Sequence, residues 1–398
     1  MPAESEQSAN EFFKEILVKG NTDGRNFGYV CTPRLLAEYM LSLRRNHGRS
    51  LDPACGAGLG AFEFGIPDIV GIELSDRATR AIHMDFFEYL DTEKFDTIIC
   101  NPPYVMARDI LPETRSLFDT HLLDARANLY LHFIEKCVRH LTVGGELIFV
   151  NPREFLHATS AVRLNTWLVS QGAITHCVDL AGERVFPDAT PDVVVWRFVR
   201  GAPQGFVDTP TPRPLVANAG VLRFPAGAYP LNLRDIGTVA VGAVSGADTA
   251  FEHADGRPFV CSATERDGAL RKMLWPGPHP HPHLLQHKHR LLARGIRCFT
   301  EADWWYWGRG FPDTRAPRVY VNTKTRAAAP FFLSECTAFD GSVLALFPRH
   351  TGDMPVLRDA LNAVDWGDLG FRRADGRCVF GQRSLQNAPL PATFAAFQ

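Results

Sequence analysis

A chain of 398 residues has room for two folded domains, and 45% apolar with 22% charged residues suits a folded protein rather than a disordered one. No apolar run approaches the roughly 18–20 residues that cross a bilayer, and the acidic start Met1-Pro2-Ala3-Glu4 does not read as a secretory leader, so no membrane partner is expected. Nine cysteines without a CxxC pair or a histidine at metal spacing point to reduced thiols and a cytoplasmic location, with neither a disulfide frame nor a metal site.

From about Phe27 to Arg200, short apolar runs alternate with amphipathic stretches, the pattern of a doubly wound α/β sheet. Pro33 to Arg45 predicts a helix, with Thr32 as N-cap and Pro33 in the first position. Arg49–Asp52 and Asp68–Glu73 predict two short strands. Between them lies Leu51-Asp52-Pro53-Ala54-Cys55-Gly56-Ala57-Gly58, where Gly56 and Gly58 let the backbone turn tightly and pass close to a ligand. Glu73 ends the second strand, where a carboxylate can hold both hydroxyls of a ribose. Asp85 and Phe86 add an acid for an adenine amino group and a ring for its face. The turn departs from the GxGxxG pattern of pyrophosphate sites, and Asp52 inside it would repel phosphate. A cationic ligand, such as a sulfonium bearing an α-amino group, suits it better.

Phe95–Cys100 predicts a buried strand that stops abruptly at Asn101-Pro102-Pro103-Tyr104. Proline cannot extend the ladder and keeps the preceding residue extended. The result is a rigid hook at the carboxyl end of a strand, where open α/β sheets place their ligands. It offers an amide, a backbone carbonyl with no adjacent N–H and an aromatic face, groups that suit gripping an amino group on a flat heterocycle. Val105 to Ala127, with Arg108, Arg115 and Arg126, reads either as a lid touching phosphates or as an ordinary surface loop. Asn128–His140 predicts a helix, Gly144-Gly145 a turn and Glu146–Val150 a strand. Ala173–Leu180 and Pro191–Val199 read as an antiparallel pair closing the sheet, joined by a loop with Val185-Phe186-Pro187.

Residues 201–230, rich in Pro, Gly, Thr and Ala, read as a linker. Beyond them Val239–Val244, Arg318–Asn322 and Val343–Phe347 are β-like runs of an irregular α+β domain. The net charge of −2 conceals a basic stretch here: Ser262 to Pro330 carries twelve Lys/Arg, five Asp/Glu and five His. That stretch suits a polyanion. Trp304-Trp305-Tyr306-Trp307 reads as core rather than a stacking surface, and His279 to His289 as an exposed loop with no metal role. Arg309, Lys324, Arg326 and the Gln382-Arg383-Ser384 segment are candidate contacts to phosphates or base edges.

Together Thr32-Pro33, the Asp52–Gly58 turn, Glu73, Asp85-Phe86, the Asn101–Tyr104 hook, Asn128-Leu129-Tyr130 and Val185-Phe186-Pro187 resemble the gamma-class DNA adenine-N6 methyltransferases of restriction–modification systems. The resemblance covers Phe27 to Arg200; in the C-terminal half only fragments match, such as Gly242–Phe251 and Val321–Lys324. It implies a class I S-adenosylmethionine-dependent methyltransferase sheet over residues 1–200, a linker over 201–230 and a C-terminal α+β target-recognition domain over 231–398. It implies Asn101, Pro102, Tyr104 and Phe186 as catalytic residues. The cofactor residues it implies are Tyr29, Thr32, Pro33, Asp52, Ala54, Gly56, Gly58, Glu73, Leu74, Asp85 and Phe86, with Asn101. Tyr104 and Phe186 are then the stacking partners of a flipped-out purine, double-stranded DNA is the substrate, and a separate restriction endonuclease is a possible partner. N4-cytosine methylation, an rRNA or protein-glutamine substrate, and a silent DNA-binding specificity subunit are the alternatives.

Overall fold

In the computed structural model, residues 32–56, 62–75, 80–118, 121–180, 192–209, 211–350, 352–373 and 375–398 are described. The chain separates between Ala226 and Gly227 into two units.

The first unit is built on a mixed sheet of β1 (Ser50–Asp52), β2 (Val70–Glu73), β3 (Ile82–His83), β4 (Phe95–Cys100), β5 (Leu141–Pro152), β6 (Gly172–Asp179), β7 (Val193–Arg200), β8 (Phe206–Thr209) and β9 (Thr211–Pro214). Their order is β3-β2-β1-β4-β5-β7-β6-β8-β9. The pairs from β3 through β5 run parallel, and β7 lies antiparallel between β5 and β6. The expected closing pair is therefore present, with β7 inserted next to β5.

Apolar runs rather than alternation mark these central strands because both faces are covered. Ile98, Leu147, Phe149, Val194, Trp196 and Phe198 pack on one face with helix α2 (Leu129–His140) and helix α3 (Val162–Gln171). Their neighbours Ile99, Ile148, Val150, Val193 and Val195 pack on the other face with Leu36, Ala37 and Met40 of helix α1 (Arg34–Ser42). Each such side chain stabilises the fold by about 1.5–3 kcal/mol through burial. Asn128 caps α2 by accepting the N–H of Tyr130 at 3.4 Å.

Glu146, fully buried, ties α1 to this sheet. One of its oxygens accepts the backbone N–H groups of Arg45 and Asn46 at 2.8 and 2.7 Å and the Thr97 hydroxyl at 3.1 Å. The other accepts Arg197 Nε at 2.6 Å.

Two expectations are corrected here. The helix starts one residue later than predicted, with Pro33 rather than Thr32 in the cap position and no side-chain cap. The stretch expected as a linker carries β8 and β9, which extend the main sheet, and a hairpin of β10 (Val216–Asn218) with β11 (Val221–Arg223). Ala219 and Gly220, at φ +48° and +74°, make the tight turn between β10 and β11, and Val207 and Leu222 contribute to the core.

The second unit holds an antiparallel sheet in the order Gly237–Val241, Val343–Pro348, Val319–Asn322, Phe331–Phe332. Its core gathers Leu357, Trp366, Phe371, Phe380 and Leu385. A second cluster contains Phe251, Phe259, Leu284, Leu291, Trp304 and Trp307. The tryptophan run is core at Trp304 and Trp307, the latter donating Nε1–H to the Leu274 carbonyl at 3.0 Å, while Tyr306 is exposed. The histidine run is more ordered than a plain loop, holding two short helices, Pro282–Leu285 and Lys288–Leu292.

Candidate active site

Asp52, Glu73 and Asn101 stand at or just past the carboxyl ends of the neighbouring parallel strands β1, β2 and β4. Sheet topology alone thus brings together residues far apart in the chain.

The turn after β1 is held by both acids. The Asp52 Oδ1 atom accepts the Ala54 N–H at 3.2 Å. Glu73 Oε2 accepts the Gly56 N–H and its Oε1 accepts the Ser75 N–H, both at 2.9 Å. Gly56 sits at φ +72°, a conformation that only glycine adopts cheaply. Asp52 is almost wholly buried, and that burial, with the nearby Glu73 charge added, pushes its carboxyl up to about 8. Asp52 was expected to face a cationic ligand; in this structure it is buried and holds the turn through its hydrogen bond from Ala54. Leu74 is exposed just beyond Glu73.

At the hook, Pro102 is buried and Asn101 half-buried. The Asn101 amide is fixed from both ends. Its Nδ2 donates to the Thr32 hydroxyl at 3.1 Å. Its Oδ1 receives the Tyr104 hydroxyl at 2.9 Å, which also lies 3.1 Å from the Val150 carbonyl. Burial raises the Tyr104 hydroxyl well above the ordinary tyrosine range, which keeps it a proton donor. Thr32 thus belongs to the site through its hydroxyl rather than as a helix cap. The ring of Tyr104 meets Tyr130 edge-on at 6.1 Å and packs against both faces' cores. That contact makes it a brace for Asn101, a role that the spacing of the motif did not reveal.

Asp85 Oδ1 accepts the Phe87 N–H at 2.9 Å, and its Oδ2 accepts the Thr114 hydroxyl. Thr114 lies on the turn Pro112–Ser116, within the segment between hook and α2. The Phe118 ring of that segment stacks on His132 at 3.8 Å, and burial lowers the His132 imidazole to about 4. The segment is therefore tied to the Asp85 corner, and Thr114 went unforeseen because nothing in its local spacing marks it. Phe86 is corrected: its ring is enclosed in the core beside Phe133 and His140, at 5.3 and 5.5 Å, leaving almost no face for a ligand. Arg126 pairs with Asp124 at 2.9 Å and Arg108 with Asp109 at 3.5 Å; both cations are largely exposed. Tyr29, Gly58 and Phe186 lie outside the described residues.

In the second unit, Asn322 is buried and donates to the Ser262 carbonyl and Glu265 Oε2 at 2.9 and 2.8 Å, so its amide serves the fold. Lys324, Arg326, Gln382 and Arg383 are exposed. Among the described residues, no helix is long and apolar enough to cross a membrane.

Residues 68–186 match the family model of the Eco57I restriction-modification methylase. The type II methyltransferase M.TthHB8I of Thermus thermophilus is 34% identical over 200 residues, 45% of this chain and 46% of that protein. The type II methyltransferase M.HincII of Haemophilus influenzae is 25% identical over 189 residues, 44% of this chain and 38% of that protein. The chain thus spans less than half the length of these curated relatives. Among solved structures, the type IIL restriction-modification enzyme MmeI in complex with DNA aligns with a TM-score of 0.59. That alignment covers 88% of this chain and 63% of MmeI at 12% identity, a likeness of fold.

Proposed function

We propose that this protein is a site-specific DNA methyltransferase that transfers a methyl group from S-adenosylmethionine to N6 of an adenine flipped out of duplex DNA. The observation that carries this reading is the Asn101 amide, clamped between Thr32 and Tyr104 at the end of β4, beside the acid-held turn of Asp52, Gly56 and Glu73.

The residues present fit the cofactor. A carboxyl raised by burial beside a second acid is an environment that a cationic ligand relieves, because a nearby positive charge favours the ionised form. Glu73, fixed by two backbone N–H groups, keeps lone pairs for ribose hydroxyls, and Asp85 for an adenine amino group. When bound, S-adenosylmethionine supplies the electrophilic methyl group.

The lone pair of an adenine amino nitrogen is delocalised into the ring, so the nitrogen is a poor nucleophile. Asn101 Oδ1 and the Pro102 carbonyl each accept one N6–H, draw the nitrogen toward a tetrahedral shape and return electron density to the lone pair. The gain comes from positioning and fixed dipoles, with no covalent nucleophile and the proton released to solvent after transfer. The basic stretch of the second unit, with Lys324 and Arg326 exposed, serves together with the exposed Arg383 as the target-recognition surface.

The test is transfer of labelled methyl from the cofactor to duplex DNA, RNA and protein side by side, followed by nucleoside analysis. N6-methyladenine in the DNA is expected. N4-methylcytosine, or label confined to RNA or protein, overturns the adenine assignment.

A further inference from the structure

We propose that the Gly227–Gln398 unit carries a divalent-metal site of the zinc class, formed by His253, Asp255 and His281. His253 and Asp255 lie on strand Glu252–Val260, in the interval where its pairing with Leu270–Met273 shifts register. Such a bulge re-aims side chains out of the regular alternation. His281 caps the short helix Pro282–Leu285, which the fold brings back against the bulge.

The geometry is that of a ligand set. Asp255 Oδ2 lies 3.6 Å from His253 Nδ1 and 3.5 Å from His281 Nε2. All three ligand atoms lie within 4.8 Å of one another. Nitrogen and oxygen donors about 2.0–2.2 Å from a tetrahedral ion stand roughly 3.3–3.5 Å apart, so two edges of the triangle are already close to that spacing. Two imidazoles and one carboxylate are donors that suit zinc among the common divalent ions. Asp255 is 70% exposed, which leaves the fourth corner to water.

The surroundings support the assignment. The rings of His281, His253, His283 and His287 form a contiguous row with successive centroid separations of 5.0, 4.7 and 5.1 Å. Loading the site exchanges two backbone contacts. His253 Nδ1 gives up the Asp255 N–H, and His281 gives up the His283 N–H, each at 3.2 Å, so that the His281 ring proton sits on Nδ1 and its Nε2 lone pair is available. The ligands come from two separated segments, which is why the spacing along the 279–289 run gave no sign of them. A bound ion would pin the bulged hairpin to the segment that leads into the basic helix Lys288–Leu292.

The experiment uses the untagged full chain, stripped with a chelator, equilibrated with zinc chloride and assayed for bound metal by mass spectrometry. One equivalent is expected, with Asp255→Asn and the double change His253→Ala/His281→Ala each weakening retention at least about tenfold. Cobalt(II) loading should give the intense visible absorption of a tetrahedral site in the parent only. Asp255→Asn alters one exposed side chain, so it reads the site even where the double change disturbs folding. Thiols are common to all versions, so zinc held by cysteine shows no difference between them. No zinc in the parent, or equal retention in folded Asp255→Asn, overturns the proposal.

Discussion

At the scale of single residues, the decisive feature is how Asn101 is held. Tyr104→Phe removes the donor at 2.9 Å from its Oδ1 and keeps the ring that packs on Tyr130. Losing one such hydrogen bond costs about 0.5–1.5 kcal/mol, so turnover should fall about tenfold at most, read in kcat with the cofactor KM nearly unchanged; an unaltered kcat contradicts the brace. Asp52 sets a pH dependence. Its carboxyl, at about 8 in the folded protein against 3.8 ordinarily, binds its proton more tightly when folded. The stability from this group is therefore full below about 4 and is lost as pH rises toward 8. Denaturant unfolding of the ligand-free protein should show Asp52→Asn gaining on the parent, by up to a few kcal/mol, as pH rises through that window. A constant difference across pH contradicts the buried, neutral acid. The hook, the turn and both acids were legible in the sequence because proline, glycine and strand ends constrain the backbone locally. The burial of Asp52, the enclosure of Phe86 and the Thr114–Asp85 contact were not, because each depends on which neighbour the fold delivers.

At the scale of elements, runs containing β-branched residues located β2, β4, β6 and β7 to within a few residues, since burial on both faces favours them. Ladder pairing carried β5 beyond its apolar run to Leu141 and Pro152. The stretch 201–230 was misread because turn residues between very short strands imitate a linker. Glu146 ties the segment after α1, β4 and β7 together. Glu146→Ala leaves the largely buried Arg197 and the backbone N–H groups of Arg45 and Asn46 without this acceptor and should cost about 3–5 kcal/mol of stability. A loss under 1 kcal/mol in chemical unfolding contradicts that role. Thr114→Val detaches the 105–127 segment from Asp85. It should weaken cofactor affinity by a few fold, with Thr114→Ser restoring it, as one hydroxyl hydrogen bond implies.

At the scale of the whole molecule, composition and the change in periodicity near residue 230 gave two units, and the division falls after Ala226. The first unit was readable in outline because its parallel strands repeat one motif. The second was not, since its short strands pair across long sequence separations, as with Gly237–Val241 against Val343–Pro348. On the proposed reading, the exposed basic side chains of the second unit grip the DNA backbone. With about six phosphate contacts, affinity should then drop about 10³-fold between 50 and 200 mM salt; a flat salt response contradicts it. The most direct measurement of the central claim is methyl transfer to duplex DNA by Asn101→Ala, with cofactor affinity measured on the same preparation. Cofactor binding within a few fold of the parent and a rate at least about 100-fold lower are predicted. Near-normal methylation by that variant contradicts an amide at position 101 as the group that grips the target amine.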